Sequence, residues 1–163
     1  MTLAGHLGTT VDIDACTACH AFWFDEFESL RLAPASILKL FHLVAEHADG
    51  GGPSARALAC PRCLSPLTLT HDRQNTTKFE YWRCAKEHGR FITFLNFLRE
   101  KDFVRPPSPG QLAELRASVQ TINCSNCGGP IDLGSDSACR HCGSPLTILD
   151  VKQMMANWLR NAK

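Results

Sequence analysis

Eight of the nine cysteines in this chain of 163 residues occur as Cys-x-x-Cys pairs, and these pairs have the clearest potential for chemistry. A pair with this spacing presents two thiolates from one tight turn, and zinc prefers four tetrahedral thiolate or imidazole ligands. Two such turns, called knuckles below, therefore make one zinc site. The four knuckles are Cys16/Cys19, Cys60/Cys63, Cys124/Cys127 and Cys139/Cys142.

The last two knuckles predict a complete four-cysteine site. Eleven residues lie between Cys127 and Cys139, which is enough chain for a tight hairpin. Gly128 and Gly143 follow the second cysteine of each knuckle, where the backbone often needs a positive φ that glycine adopts without strain. Unrelated thiols and a redox dithiol are weaker alternatives. We predict a structural zinc ion on Cys124, Cys127, Cys139 and Cys142.

A second complete site is predicted around the unpaired cysteine. Cys84 follows Cys63 after twenty intervening residues, and His88 lies four positions further on, with a glycine next. His88 thus replaces the usual fourth cysteine, in a knuckle with one extra residue. His71 is the competing imidazole, but the spacing favours His88. The predicted ligands are Cys60, Cys63, Cys84 and His88.

At these two sites the sequence resembles the zinc-ribbon superfamily, in the short double-knuckle form common in bacterial proteins. The start of the chain resembles a narrower group, the ribbon domain named after transcription factor IIB, whose second knuckle reads roughly Cys-x-x-Cys-x-Gly-x-Trp-Leu-Asp-x-x-Glu-Leu after a strand. Residues 11–14 supply the strand, whereas His20 and Ala21 replace the usual glycines. The residues that match in order are Cys16, Cys19, Trp23, Phe24, Asp25 and Glu28.

The resemblance leaves Cys16 and Cys19 as half of a metal site, because the family's first knuckle would lie upstream of Met1. A truncated or degenerate ribbon is the leading expectation, and an in-frame Cys-x-x-Cys about ten to twenty residues upstream would complete it. Otherwise a histidine completes the site, or no metal binds. The candidate histidines are His6, His20, His42 and His47.

Residues 16–20 also match the attachment motif of c-type haem, Cys-x-x-Cys-His. Proteins of that kind mature outside the cytosol and need an export signal, which the first ten residues lack. The haem interpretation also leaves Trp23 and Asp25 unexplained. We therefore favour the ribbon interpretation of this motif.

Two breaks divide the sequence into three segments, a glycine-rich one at residues 49–53 and a stiffer, proline-rich one at residues 105–110. The expected fold class is small α+β, with tandem zinc ribbons and interspersed amphipathic helices. The predicted domains are residues 1–48, a partial ribbon plus helix; residues 54–104, a three-cysteine, one-histidine ribbon plus helix; and residues 108–163, a helix, a four-cysteine ribbon and a C-terminal helix.

Apolar periodicity and capping residues place the secondary structure within these segments. Ser108, followed by a proline, is the expected N-cap of one helix, and Asp150 is the expected N-cap of the last. The other predicted elements are a helix over residues 34–48, a hairpin with strands near residues 67–71 and 78–83, and an aromatic-faced helix within residues 91–103.

Charge and composition narrow the function classes. The formal net charge is +1, without the basic excess of most nucleic-acid binders, and thiolate ligation at both complete sites would lower it to about −2. No apolar run is long enough to span a bilayer. We expect a location in the reducing cytosol, where paired cysteines more often hold metal than form disulfides.

The leading functional hypothesis is a non-enzymatic interaction or adaptor protein with a protein partner, no membrane and no small-molecule substrate. No catalytic arrangement is discernible, and a zinc ion with four protein ligands has no open position. A transcription-related nucleic-acid binder is the alternative, and a thiol redox or catalytic zinc protein using Cys16 and Cys19 is a weaker one. We expect a role in the core, and not as a base-stacking platform, for the aromatic residues Phe22, Trp23, Phe24 and Phe27.

Overall fold

The computed structural model describes residues 1–47, 58–74, 77–126 and 129–150, and over these residues it shows a small α+β fold with antiparallel sheets. The helices are α1 (Glu28–Arg31), α2 (Pro34–Glu46), α3 (Phe94–Glu100) and α4 (Pro109–Ser118), with a 3-10 turn at His6–Gly8. The strands are β1 (Thr2–Ala4), β2 (Thr10–Asp12), β3 (Asp14–Cys16), β4 (Ala21–Asp25), β5 (Thr68–Gln74), β6 (Thr77–Arg83), β7 (Gly89–Thr93), β8 (Val104–Arg105), β9 (Thr121–Asn123), β10 (Pro130–Asp132) and β11 (Ile148–Leu149).

A five-stranded antiparallel sheet forms the centre, in the order β3-β4-β7-β6-β5. Strand β4 precedes the glycine-rich break, whereas β7 follows it. The two strands pair over their whole length, from Ala21 opposite Thr93 to Asp25 opposite Gly89. The first two sequence segments therefore share one sheet. The predicted hairpin is confirmed as β5 and β6, with bounds shifted by a few residues.

Strand β4 is buried on both faces, which explains its unbroken apolar run. Phe22 and Phe24 lie on one face and are fully buried against the phenylalanines of α3. The ring centroids of Phe22 and Phe97 are 5.0 Å apart in an edge-on arrangement, the geometry that aromatic pairs prefer. Trp23 faces the opposite side, toward Cys60 and Cys84. The expectation that these aromatic residues form core is confirmed for Phe22, Trp23 and Phe24 and is wrong for Phe27, which follows the end of β4 and is 64% exposed.

Two short elements differ from the sequence prediction. The strand expected at residues 11–14 is split into β2 and β3 around Ile13, because β2 pairs with β1 and β3 pairs with β4. The helix expected within residues 91–103 begins only at Phe94. Phe91 instead lies in β7, paired with Trp23 and Trp82, and the Thr93 hydroxyl accepts a hydrogen bond from the Asn96 amide as the helix cap.

Helix α2 was predicted correctly over its described length. It covers the central core with Leu40, which is fully buried, and with Ile37, Phe41 and Val44, which are partly buried. The Ser36 hydroxyl donates to the carbonyl of Ala4, which ties the helix to the N-terminal hairpin. None of the helices in the described residues is both long and apolar enough to cross a membrane.

The third segment has a small core of its own around Ile131, Leu133 and Leu146. Helix α4 packs on it through partly buried leucines and starts with the predicted cap. Ser108 and Gln111 form a reciprocal capping box. Strand β11 pairs with β8, which connects this segment to the central core. The C-terminal helix predicted after Asp150 lies outside the described residues.

Candidate metal centres

The first cluster brings together the four predicted ligand atoms of Cys60, Cys63, Cys84 and His88, all within 4.8 Å of one another. The Nδ1 atom of His88 lies 3.7 Å from the Cys60 sulfur and 3.6 Å from the Cys84 sulfur, and the sulfurs of Cys63 and Cys84 are 3.6 Å apart. Tetrahedral zinc would separate two sulfurs by about 3.8 Å, and a sulfur and an imidazole nitrogen by about 3.6 Å. These three distances match those of a tetrahedral metal site, so the cluster could hold a metal ion.

Backbone hydrogen bonds hold both halves of this cluster in tight turns. The Cys60 amide donates to the carbonyl of Ser65 at 2.9 Å, and the Cys84 amide donates to the carbonyl of Gly89 at 3.0 Å. Each bond joins the first ligand residue of a turn to the fifth residue after it. The ligand atoms of the turn therefore point to one side. The Lys86 amide also points at the Cys84 sulfur at 3.4 Å, a contact that favours a thiolate.

Residues of the ribbon-like motif at the start of the chain lie beside this first cluster, where Trp23 contacts it directly and Asp25 contacts its first turn. Trp23 packs against Cys60 and Cys84, and its indole N–H donates to Asp25 at 2.9 Å. Asp25 in turn accepts hydrogen bonds from Arg62 inside the knuckle, and the Asp25 amide donates to Glu28 at 2.7 Å. The hydrogen bond from Arg62 lowers the pKa of Asp25. The motif therefore covers and positions the Cys60/Cys63 knuckle.

The thiols of the first cluster differ in how easily they ionise. Hydrogen bonding to Ser65 lowers the pKa of Cys63 to about 6, whereas burial raises the pKa of Cys60. Cys60 is fully buried and Cys84 is 2% exposed. A buried thiolate needs a cation nearby, and a bound metal ion would supply that charge.

The second cluster comprises Cys124, Cys139 and Cys142, whose ligand atoms lie within the same 4.8 Å limit. The sulfurs of Cys124 and Cys142 are 3.7 Å apart. The fourth predicted ligand, Cys127, lies outside the described residues. The Cys124 and Cys139 amides donate to carbonyls five residues further on, at 2.8 and 2.9 Å, as in the first cluster. Gly143 has the expected positive φ, at 71°.

The Cys16/Cys19 knuckle is exposed, and among the described residues no third candidate ligand joins it. It forms the turn between β3 and β4, where Cys16 lies opposite Ala21. The Cys19 amide donates to the Cys16 sulfur at 3.2 Å. The thiols also share a hydrogen bond, which lowers the pKa of Cys16 and raises that of Cys19. The other histidines named in the sequence analysis, His6, His20, His42, His47 and His71, belong to neither described cluster.

The sequence also contains a repeat that marks two of the knuckles. Residues 60–68 and 139–147 share the pattern Cys-x-x-Cys-x-Ser-Pro-Leu-Thr. In both stretches the amide of the first cysteine donates a hydrogen bond to the carbonyl five residues further on. A β-bridge flanks each turn and joins Ala59 to Pro66 in one and Ala138 to Pro145 in the other. The pattern therefore defines a repeated knuckle.

The repeat predicts a stabilising substitution at Leu64, which occupies the position of Gly143. Leu64 has a φ of 58° and is 79% exposed, so its side chain costs backbone strain and contributes little burial. We expect Leu64→Gly to increase the free energy of unfolding by about 1 kcal/mol in the metal-loaded protein, measured by chemical denaturation. Leu64→Ala keeps the strain and should stay close to the parent, so equal effects in both variants would contradict the assignment.

The chain has no match among protein-family models, and neither the curated proteins nor the solved structures contain a significant match to it.

Proposed function

We propose that the protein binds zinc at both clusters and that this zinc is structural. The observation that carries the proposal is the closeness of the four ligand atoms in the first cluster, which all lie within 4.8 Å of one another and include three pairs at 3.6 to 3.7 Å. Three thiolates and one imidazole suit zinc better than the oxygen-preferring cations. A zinc ion so held has no position for a reactive water.

The test is the metal content of the purified chain in reducing buffer. The two clusters account for about two zinc ions per chain, and removal of the metal with a chelator should unfold the elements around them. Elemental analysis that finds fewer than two, or chelation that leaves the circular dichroism spectrum unchanged, would contradict the proposal.

We further propose that these zinc sites support a protein-binding surface and not a reaction. Two large apolar side chains beyond β4 are exposed, Phe27 at 64% and Leu30 at 69%. They line one groove of about 450 Å³ together with Tyr81 and with charged residues that include Arg83 and Glu87. Phe27 is held there at a φ of 63°, a conformation that residues with a side chain rarely adopt. Aromatic residues of this kind are enriched at protein interfaces.

A matched pair of variants tests the protein-binding proposal. A protein that co-purifies with the chain from its native source should be lost with the double variant Phe27→Ser, Leu30→Ser. It should be retained with Leu64→Ser, which removes a leucine elsewhere that is 79% exposed, more than either Phe27 or Leu30. Equal retention by both variants would remove Phe27 and Leu30 from the proposed surface.

Nucleic-acid binding is the second candidate, and one groove favours it. This groove of about 680 Å³ is lined by Arg73, Lys78 and Arg99, and the Nη2 atom of Arg99 is buried without a hydrogen-bond partner among the described residues. Asp72 and Glu80 line the same groove, which weakens its attraction for phosphate.

Salt dependence separates the two candidates. Phosphate contacts make affinity fall steeply as salt rises, whereas an apolar protein interface is largely insensitive to salt. We expect no binding to a fluorescent single-stranded or duplex oligonucleotide at physiological salt. Tight binding that weakens steeply with salt, and is reduced by Arg99→Gln, would favour the nucleic-acid candidate.

A further inference from the structure

The Cys16/Cys19 turn is built like the knuckles of the two clusters. Cys16 lies opposite Ala21, five residues further on, which is the separation closed by hydrogen bonds in the other knuckles. The Cys16 sulfur accepts a hydrogen bond from the Cys19 amide, three residues on, and the Cys124 sulfur accepts one from the Asn126 amide, two residues on, so in both turns a backbone amide of the turn points at the first sulfur. The residue after the second cysteine, His20, has a positive φ of 50°, as Leu64 and Gly143 do. The turn therefore has the backbone of a metal-binding knuckle.

This knuckle supplies only two ligands. Both thiols are exposed, and no third candidate ligand among the described residues lies within reach. His20 is its nearest imidazole in sequence, but the ring is 5% exposed and stacks on Phe94 with ring centroids 5.6 Å apart. Residues 48–57, 75–76, 127–128 and 151–163 contain one cysteine and no histidine, and that cysteine completes the Cys124 knuckle by sequence. A four-coordinate site on this knuckle would therefore draw its other two ligands from outside these residues.

We propose that a second copy of this chain supplies them, so that Cys16 and Cys19 of two chains hold one zinc ion on four thiolates. The second copy carries the complementary half by identity, and two identical knuckles related by a two-fold axis place four sulfurs around one point. Thr17 and Ala18, at the tip of the turn, are small and uncharged. They leave room for a second tip to approach. The metal's identity rests on the zinc binding proposed for the two clusters.

The chain's mass and zinc content test this proposal together. The full chain is kept in phosphine reductant to prevent disulfides, loaded with zinc chloride, freed of excess metal and studied by light scattering and elemental analysis. We expect a molar mass about twice 18.0 kDa. The zinc content should be about 2.5 ions per chain, because each chain holds two ions in its clusters and shares one ion with its partner. The double variant Cys16→Ser, Cys19→Ser should have half that mass and about 2 zinc ions per chain.

Each other outcome has a defined meaning. A parent chain that stays monomeric, with either two or three zinc ions, overturns the shared site, and so does a dimer that persists in the double variant. These results leave the two complete clusters untouched. Fewer than two zinc ions in the double variant would instead contradict the proposed function, because its substitutions lie outside both clusters.

Discussion

Cys60→Ser is expected to remove one zinc ion per chain and to unfold the centre of the protein. Cys60 is fully buried, and its cluster lies between the Cys60/Cys63 knuckle, the β6–β7 turn and Trp23. A structural zinc ion contributes about 10–16 kcal/mol to folding, as much as the whole stability of a typical domain, about 5–15 kcal/mol. Elemental analysis gives the zinc loss, and tryptophan fluorescence reports the unfolding because Trp23 packs on the cluster.

Two other cysteine variants show whether the effect is specific. Cys16→Ser leaves both clusters complete, so it should keep two zinc ions per chain and nearly the parent melting temperature. Cys139→Ser should also lose one zinc ion, but with damage centred on β9, β10 and the knuckle after them. Amide hydrogen exchange distinguishes these regions, since the five-stranded sheet should stay protected in Cys139→Ser. Equal losses of metal and stability in all three variants would contradict the ranking.

The membership of the first cluster was predictable because it depends on short spacings. A Cys-x-x-Cys turn fixes its own geometry, and the distance from Cys84 to His88 selected that histidine over His71. The structure places His88 in the first cluster, whereas His71 lies in strand β5, with its Nδ1 3.6 Å from Glu80. Helix α2 was predictable from its apolar periodicity and helix α4 from its Ser108 cap, since both are local signals.

The pairing of β4 with β7 was not predictable from local patterns. It joins Ala21 to Thr93 across a chain separation of more than seventy residues, and nothing within either strand encodes its partner. The same pairing carries Trp23 and Asp25 to the Cys60/Cys63 knuckle. The sequence motif instead places those two residues in the Cys16/Cys19 ribbon, which lies next to them in the chain. A motif's neighbours in sequence were therefore a poor guide to its neighbours in space.

Gly89→Ala tests that pairing directly, and we expect a loss of about 3 kcal/mol or more in the free energy of unfolding. Gly89 has a φ of 147°, and a Cβ atom there would lie 2.3 Å from the carbonyl oxygen of Phe24 and 2.9 Å from the Asp25 Cα. Both are backbone atoms of β4, so no side-chain rotation relieves the clash. Chemical denaturation of the metal-loaded protein measures the loss.

The same substitution should weaken zinc binding at the first cluster but not at the second. Gly89 follows His88 and accepts the hydrogen bond from the Cys84 amide, so a displaced β7 also displaces two ligands. Competition with a chromophoric chelator should show one zinc ion released more readily than in the parent.

Gly110→Ala is the matched control. A Cβ atom there meets nothing within 4 Å, and alanine suits the first turn of α4 better, so stability should rise by up to about 1 kcal/mol. If Gly89→Ala proved as stable and as zinc-retentive as this control, the close approach of β7 to β4 would be wrong.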